Sequence, residues 1–414
     1  MDGCCWDTGK ADKKDWRASI KLTMDTTANI RKIALGRPVF DREEAEATAK
    51  IFNAQWVLNG PEVRRFEEEF KKYIGSSQAT AVNSCTAAMH LALASLGLKA
   101  GDEVLLPSFN FIAAGLAVCQ ARLKPVFVEV NPRTGNLDTG KLKKMVAKST
   151  KVKAIQVLHY AEYPPDLDSV LQIARKHVQR VTEDTAQAMG TGYAGKKIGV
   201  HTDAACFSFG PLKMICSGGM GGMVTSDHKD LVEKINSLRS YGMDKSMWDR
   251  RESQRPWIYS VTELGHNFRM SDFQAAAGIV QMKKLDQFIA RRKKIASFYD
   301  QALSRQSRID MFHPESKSEP VPLYYVIKIL DKTGSLRDKL ALFLIEHGIG
   351  ASVHWDPPLH LHPLFRCYGY APGDFPLTEE LSKMTLSLPL HPGMSDEDAE
   401  YIVGKIDEFF QQGL

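Results

Sequence analysis

Lys213 stands alone between two short apolar runs, 204–209 and 222–225, and a glycine-rich bend separates it from the second run. An ammonium between buried strands must be paired, hydrated or made neutral. Once neutral it is a nucleophile toward aldehydes, which is what an imine-forming lysine requires. Taken alone, a lysine snorkelling from a loop is the plainer explanation. Other groups could serve the same chemistry. In T-E-D-T-A-Q-A (182–188), Asp184 closes an apolar run and Gln187 follows three residues on. The carboxylate offers an acceptor for a protonated ring nitrogen and the amide a donor for a neighbouring oxygen; equally, Asp184 could cap a helix. In N-S-C-T-A-A (83–88), backbone N–H groups and the hydroxyls of Ser84 and Thr86 at a helix start suit a phosphate, or one of the hydroxyls is an ordinary N-cap. Phe109 and Phe111 read as core residues or as a platform for a ring.

Two attractive patterns fail on inspection. Gly190 to Lys196 match the glycine and lysine spacing of a nucleotide-phosphate loop, but Lys197 occupies the place of the required hydroxyl, and no apolar helix follows. Residues 193–197 read instead as a hairpin turn. His354, His360 and His362 lie in a proline-rich segment with no carboxylate at a matching spacing, so loop packing is preferred over metal binding.

The elements that must position these groups follow from periodicity. A helical pattern from Asp41 carries Ala45, Ala49, Phe52 and Trp56, and a second over 61–74 places Val63, Phe66, Phe70 and Tyr73 on one face with Gly75 as its stop. Strands are expected at 79–82, 103–106, 125–130, 152–158 and 178–183, alternating with helices at 84–96, 111–120 and 168–177. That alternation implies an α/β fold, a mostly parallel sheet covered on both faces, with ligands at the carboxyl ends of its strands. The irregular, tryptophan-bearing stretch 241–262, with Trp248 and Trp257, is long enough to be expected to line or cover a pocket. A long helix from Met270 to about Leu303 leads to a smaller α+β region with strands at 322–329 and 351–354 and helices at 336–347 and 396–410. The expected division is a flexible extension over 1–28, a large domain with an N-terminal arm over 29–280, and a small domain over 281–414.

Composition narrows the class. With 414 residues, 43% hydrophobic and 25% charged, the chain is long enough for two cored domains. A net charge of +5 is spread over 54 basic and 49 acidic residues, so no nucleic-acid or membrane partner is expected, and the basic run 291–294 reads as a solvated helix face. Seven scattered cysteines without metal spacing, no apolar leader and no membrane-length run fit a cytoplasmic protein with reduced thiols.

In this order, the motifs resemble the DegT/DnrJ/EryC1/StrS family of pyridoxal-phosphate sugar aminotransferases, over about residues 29–412. The most specific stretches are E-D-T-A-Q-A (183–188), F-S-F-G-P-L-K (207–213) and G-H-N-F-R-M-S (265–271); N-S-C-T-A-A-M-H-L-A-L (83–93), P-S-F-N-F (107–111) and V-H-W-D-P-P-L-H-L-H-P (353–363) are also similar. The resemblance implies a three-layer α/β/α domain that binds pyridoxal 5'-phosphate. In it Lys213 forms the internal aldimine and moves the proton, Asp184 pairs with the pyridine nitrogen, Gln187 contacts the ring hydroxyl and Phe111 stacks on the ring. Ser208, Thr86 and the backbone N–H of Cys85 hold the phosphate, with Asn267 reaching it from the neighbouring subunit of a homodimer. It further implies glutamate or glutamine as donor and a nucleotide-linked keto-sugar, a keto-deoxyhexose, as acceptor. Several positions depart from the family pattern: Met220 where an acid is common, His159-Tyr160-Ala161-Glu162 where an aromatic-glycine pair is more usual, His266-Asn267-Phe268 for a tyrosine-rich version and Cys85 for a frequent glycine. Keto-sugar dehydration, inosose amination and a noncatalytic ligand-sensing role on the same fold are the alternatives. Dehydratases of this fold carry histidine at the imine position, so Lys213 favours amination.

Overall fold

The computed structural model describes residues 31–412 except Gln55, Val178 and Glu252; the extension expected over 1–28, with Cys4 and Cys5, lies outside the described residues. The main sheet has seven strands in the order Gln78–Val82, Gly222–Ser226, Ala204–Ser208, Arg180–Asp184, Val152–Leu158, Glu103–Pro107 and Lys124–Val128. The last five pair in parallel, and Gly222–Ser226 runs antiparallel to both its neighbours.

Because side chains alternate along a strand, both faces of such a sheet must be covered. Val104 and Leu106 pack with the helices Cys85–Ser95, Ile112–Gln120 and Lys229–Leu238 on one side. Leu105, Ile155 and Val181 pack with Thr139–Lys148 and Leu167–His177 on the other. On that second side Phe207 and Met223 meet the helix Pro61–Ile74. Its buried Val63, Phe66, Phe70 and Ile74 recur at helical spacing, Pro61 starts it, and Gly75 ends it at φ 87°. Each such side chain stabilises the packing by about 1.5–3 kcal/mol, and a charge at Phe66 would break it.

The helix Asp272–Leu303 runs on into a second core. There Ile295, Tyr299 and Leu303 pack under a three-stranded antiparallel sheet, Ile309–Met311, Tyr325–Ile329 and Thr385–Leu388, with the helices Ser335–Glu346 and Asp396–Gln411. The expected division at 280/281 falls inside this 32-residue helix.

Several expectations need correction. Residues 351–354 form no strand; Ser352 makes a single bridge to Ser387. Helix Arg42–Asn53 stops before Trp56 and leaves Phe52 79% exposed, burying Glu44 and Ile51 instead. Arg292, in the run read as solvated, is 3% exposed, because its Nη1 donates to the carbonyls of Leu323 (2.8 Å) and Leu390 (2.5 Å). The hairpin does form: Gly192–Tyr193 pairs with Lys196–Lys197 across Ala194 (φ 51°) and Gly195 (φ 77°), the positive angles of a tight hairpin turn. Among the described residues, no helix is long and apolar enough to cross a membrane and no cluster of three metal-ligating side chains occurs. The described cysteines are all free thiols.

Candidate active site

Several strands end at one edge of the sheet, and their last residues or the turns that follow define a cavity of about 430 Å³ lined by Cys85, Thr86, Phe111, Asp184, Gln187, Ser208 and Lys213. Seven of the eight site residues expected from sequence therefore meet in one place. Asn267 does not. It is exposed, its Oδ1 accepts from Arg269 Nε (3.1 Å) and Nη2 (2.9 Å), and its backbone bridges to Ser240. Depressions of about 510 Å³ around Arg308 and about 720 Å³ around Arg239 are roomier, but neither gathers a lysine with a buried carboxylate at strand ends.

At the helix start the two readings of Ser84 and Thr86 separate. Ser84 Oγ takes the N–H of Ala87 (3.1 Å) and is the cap, whereas Thr86 faces the cavity. The N–H groups of Cys85 and Thr86 remain for an anion at the positive end of the helix. The opposing strand comes very close: a Cβ on Gly222 would lie 2.6 Å from the Ser84 carbonyl and 2.7 Å from Cys85 N. Burial pushes the Cys85 thiol well up, so it is an inert neutral group.

Asp184 is 4% exposed; among the described residues it caps no helix, and its Oδ1 accepts only the N–H of Ala186 (3.1 Å). Burial pushes its carboxyl up, against the pull of that bond and of the Lys213 charge. A buried carboxylate with a single donor calls for another. Behind it, Glu183 points to the other face, where His159 Nε2 (2.8 Å) and Thr202 Oγ1 (2.7 Å) satisfy it. Gln187 Oε1 accepts from Ala161 N (2.8 Å), leaving its NH2 to donate into the cavity. Of the two phenylalanines, Phe109 is fully buried against Tyr160 and Trp355, and Phe111, 54% exposed, is the ring at the cavity.

The small sheet supplies a wall that the sequence did not reveal: Tyr324, Ser352, Val353, His354 and Trp355. Lys213 Nζ lies 3.5 Å from Tyr324 Oη. His354, read as loop packing, is a cavity residue; its Nδ1 meets Ser387 Oγ at 2.6 Å, and burial and the Lys213 charge push it down to about 4, so it is neutral near pH 7. The available signal was an aromatic immediately before a strand and a His-Trp pair among prolines. Trp248 and Trp257 do not reach this cavity. Trp248 lines a smaller one of about 220 Å³ with Trp56, and Trp257 is 71% exposed.

The model of the DegT/DnrJ/EryC1/StrS aminotransferase family matches residues 38–407. The chain belongs to that family. This aminotransferase is 36% identical over 369 residues to the spore coat polysaccharide biosynthesis protein SpsC of Bacillus subtilis, covering 88% of this chain and 94% of the relative. It is 32% identical to the GDP-perosamine synthase of Caulobacter vibrioides, covering 92% and 99%. Among solved structures, Helicobacter pylori PseC, an aminotransferase involved in the biosynthesis of pseudoaminic acid, superposes with a TM-score of 0.85 at 26% identity, over 92% of this chain and all of that one. The enzyme is thus a transaminase of a pyridoxal-phosphate-dependent family.

The residues of this aminotransferase fit that cofactor. The partner-poor Asp184 suits a ring N–H, the helix start at Cys85 and Thr86 with Ser208 beside it suits the phosphate, and the open face of Phe111 suits the ring. Among the described lining residues Lys213 is the one amine that an aldehyde could meet.

Proposed function

We propose that the chain transfers the amino group of L-glutamate, or glutamine, to a nucleotide-linked keto-sugar of the keto-deoxyhexose class, with pyridoxal 5'-phosphate held in this cavity. The observation that carries the reading is the meeting of Lys213 with Asp184 in one partly apolar cavity at the strand ends. GDP-perosamine synthase, similar over nearly its whole length, supports a nucleotide-linked acceptor. We further infer a homodimer in which Asn267 of each copy completes the other's phosphate site; its exposure away from its own cavity supports this.

When bound, the cofactor supplies an aldehyde to carry the amino group and a ring that draws electrons from the substrate's α-carbon. Asp184 would accept the ring N–H and keep that proton in place. Gln187 orients the ring through its NH2. Cys85 N–H, Thr86 and Ser208 anchor the phosphate end, and Phe111 covers one face and excludes water. Lys213 would take the donor's α-proton on Nζ and hold it there, and its flexible stem permits that movement.

The test is the visible spectrum of purified protein with pyridoxal phosphate, before and after glutamate, beside Lys213→Ala. Wild type should respond to glutamate or glutamine, and the variant should lose at least about 10³-fold in the donor half-reaction. A wild type that binds the cofactor without responding to either donor would overturn the reading. Turnover of an inosose but of no nucleotide keto-sugar would overturn the substrate class alone.

A further inference from the structure

The small unit brings the hydroxyl of Tyr324 into the cavity, within 3.5 Å of the Lys213 amine. Tyr324 is 5% exposed, lines the cavity, and its Oη is the only side-chain hydrogen-bond partner of Lys213 Nζ among the described residues, at 3.5 Å. The backbone that leads into Tyr324 is tied down. The carbonyl of the preceding Leu323 accepts from the buried Arg292 (2.8 Å), whose other carbonyl partner is Leu390 (2.5 Å). The ring of His354 packs 4.9 Å from that of Tyr324.

We infer that Tyr324 is a catalytic residue of the donor half-reaction: its Oη accepts an N–H of Lys213 and holds the amine over the α-carbon between its departure and its return. This rests on the transamination reading. The chemistry of the partner matters. A carboxylate at this place would fix Nζ as an ammonium and quench it as a nucleophile. A phenol hydroxyl, which brings no carboxylate charge, gives the amine a direction without that penalty. The contact is long, as suits a group that swings between two positions and tightens only when substrate is bound. The other ionisable groups that act on Lys213 are Asp184 and Cys85 from the large sheet's edge and His354 from the small unit. Asp184 is engaged by the ring, Cys85 is a neutral thiol and His354 is bonded to Ser387, so none of them can replace the phenol.

The experiment compares wild type with Tyr324→Phe, which keeps the ring, and with Tyr325→Phe, which removes the neighbouring hydroxyl bonded to Asp300 at 2.7 Å. One arm follows the glutamate half-reaction of the holoenzyme in single turnover; Tyr324→Phe should be slower by about 10–100-fold with cofactor affinity changed less than about threefold. The second arm uses cofactor-free protein and measures the pH midpoint for labelling Lys213 with trinitrobenzenesulfonate. Loss of the acceptor should lower that midpoint in Tyr324→Phe and leave it at the wild-type value in Tyr325→Phe. An unmoved midpoint overturns the inference even if the reaction slows, because a steric role would do that; an unchanged rate overturns it as well. If wild type ignores both donors, the transamination reading fails and the labelling arm alone decides whether the phenol governs the amine.

Discussion

Asp184 and Asp272 are both almost fully buried, at 4% and 1% exposure, and burial pushes both carboxyls up. Their hydrogen-bond donors differ. Asp272 accepts the N–H groups of Gly60 (2.9 Å), Glu62 (2.9 Å) and Val63 (3.4 Å), the open donors of a helix whose own cap residue, Gly60, has no side chain to offer. Asp184 accepts one N–H. The direction of the shift is the same at both places, so it does not separate a structural carboxylate from a working one; the number of donors left to be supplied does.

The sharpest way to break this comparison is to neutralise each. Asp184→Asn should slow the glutamate half-reaction by about 10³-fold while the protein stays folded, measured in single turnover beside a circular dichroism melt. Asp272→Ala should do the reverse. It should cost about 2 kcal/mol of stability in denaturant titration and leave cofactor affinity in the folded protein unchanged. A folded Asp272→Ala protein that has lost the cofactor would end the distinction.

A smaller effect sharpens the point. A carboxyl whose folded pKa is raised binds its proton more readily in the folded state. Its stabilising contribution is complete below the unfolded value, about 3.9, and is lost as pH rises through the folded value. Above the folded value the cofactor-free protein therefore holds an ill-solvated anion at Asp184. Asp184→Asn should melt higher than wild type there, by about 0.5–2 kcal/mol, and the gap should close as the pH approaches the unfolded value. A gap that is constant with pH would show that the carboxyl does not bear the cost.

Most of the large sheet was legible because each buried strand is a short apolar run and each covering helix repeats its apolar residues. The helix Thr139–Lys148 escaped notice because only Leu142 and Val146 mark its buried face. Strand Thr385–Leu388 is four residues alternating Thr and Ser with Leu, too short for periodicity to speak. Residues of the site that close strands or open helices, such as Asp184, Ser208 and Thr86, could be placed from sequence, since chemistry and topology coincide there. Tyr324 and His354 could not. They reach Lys213 through the packing of a second sheet against the first, and nothing local records that approach. Arg292 makes the same point: its charge reads as surface until two carbonyls in other segments are seen to wait for it.

Gly222 touches no substrate in this account, yet a single methyl there would strike the backbone of Ser84 and Cys85, which has no softer atom to yield. In the language of heredity, the position tolerates one amino acid for a reason unrelated to reactivity. In the function proposed above, Lys213 matters for what its side chain does. Gly222 matters for having none: whatever side chains line the cavity, one placed here would force apart the seam between this strand and the helix start.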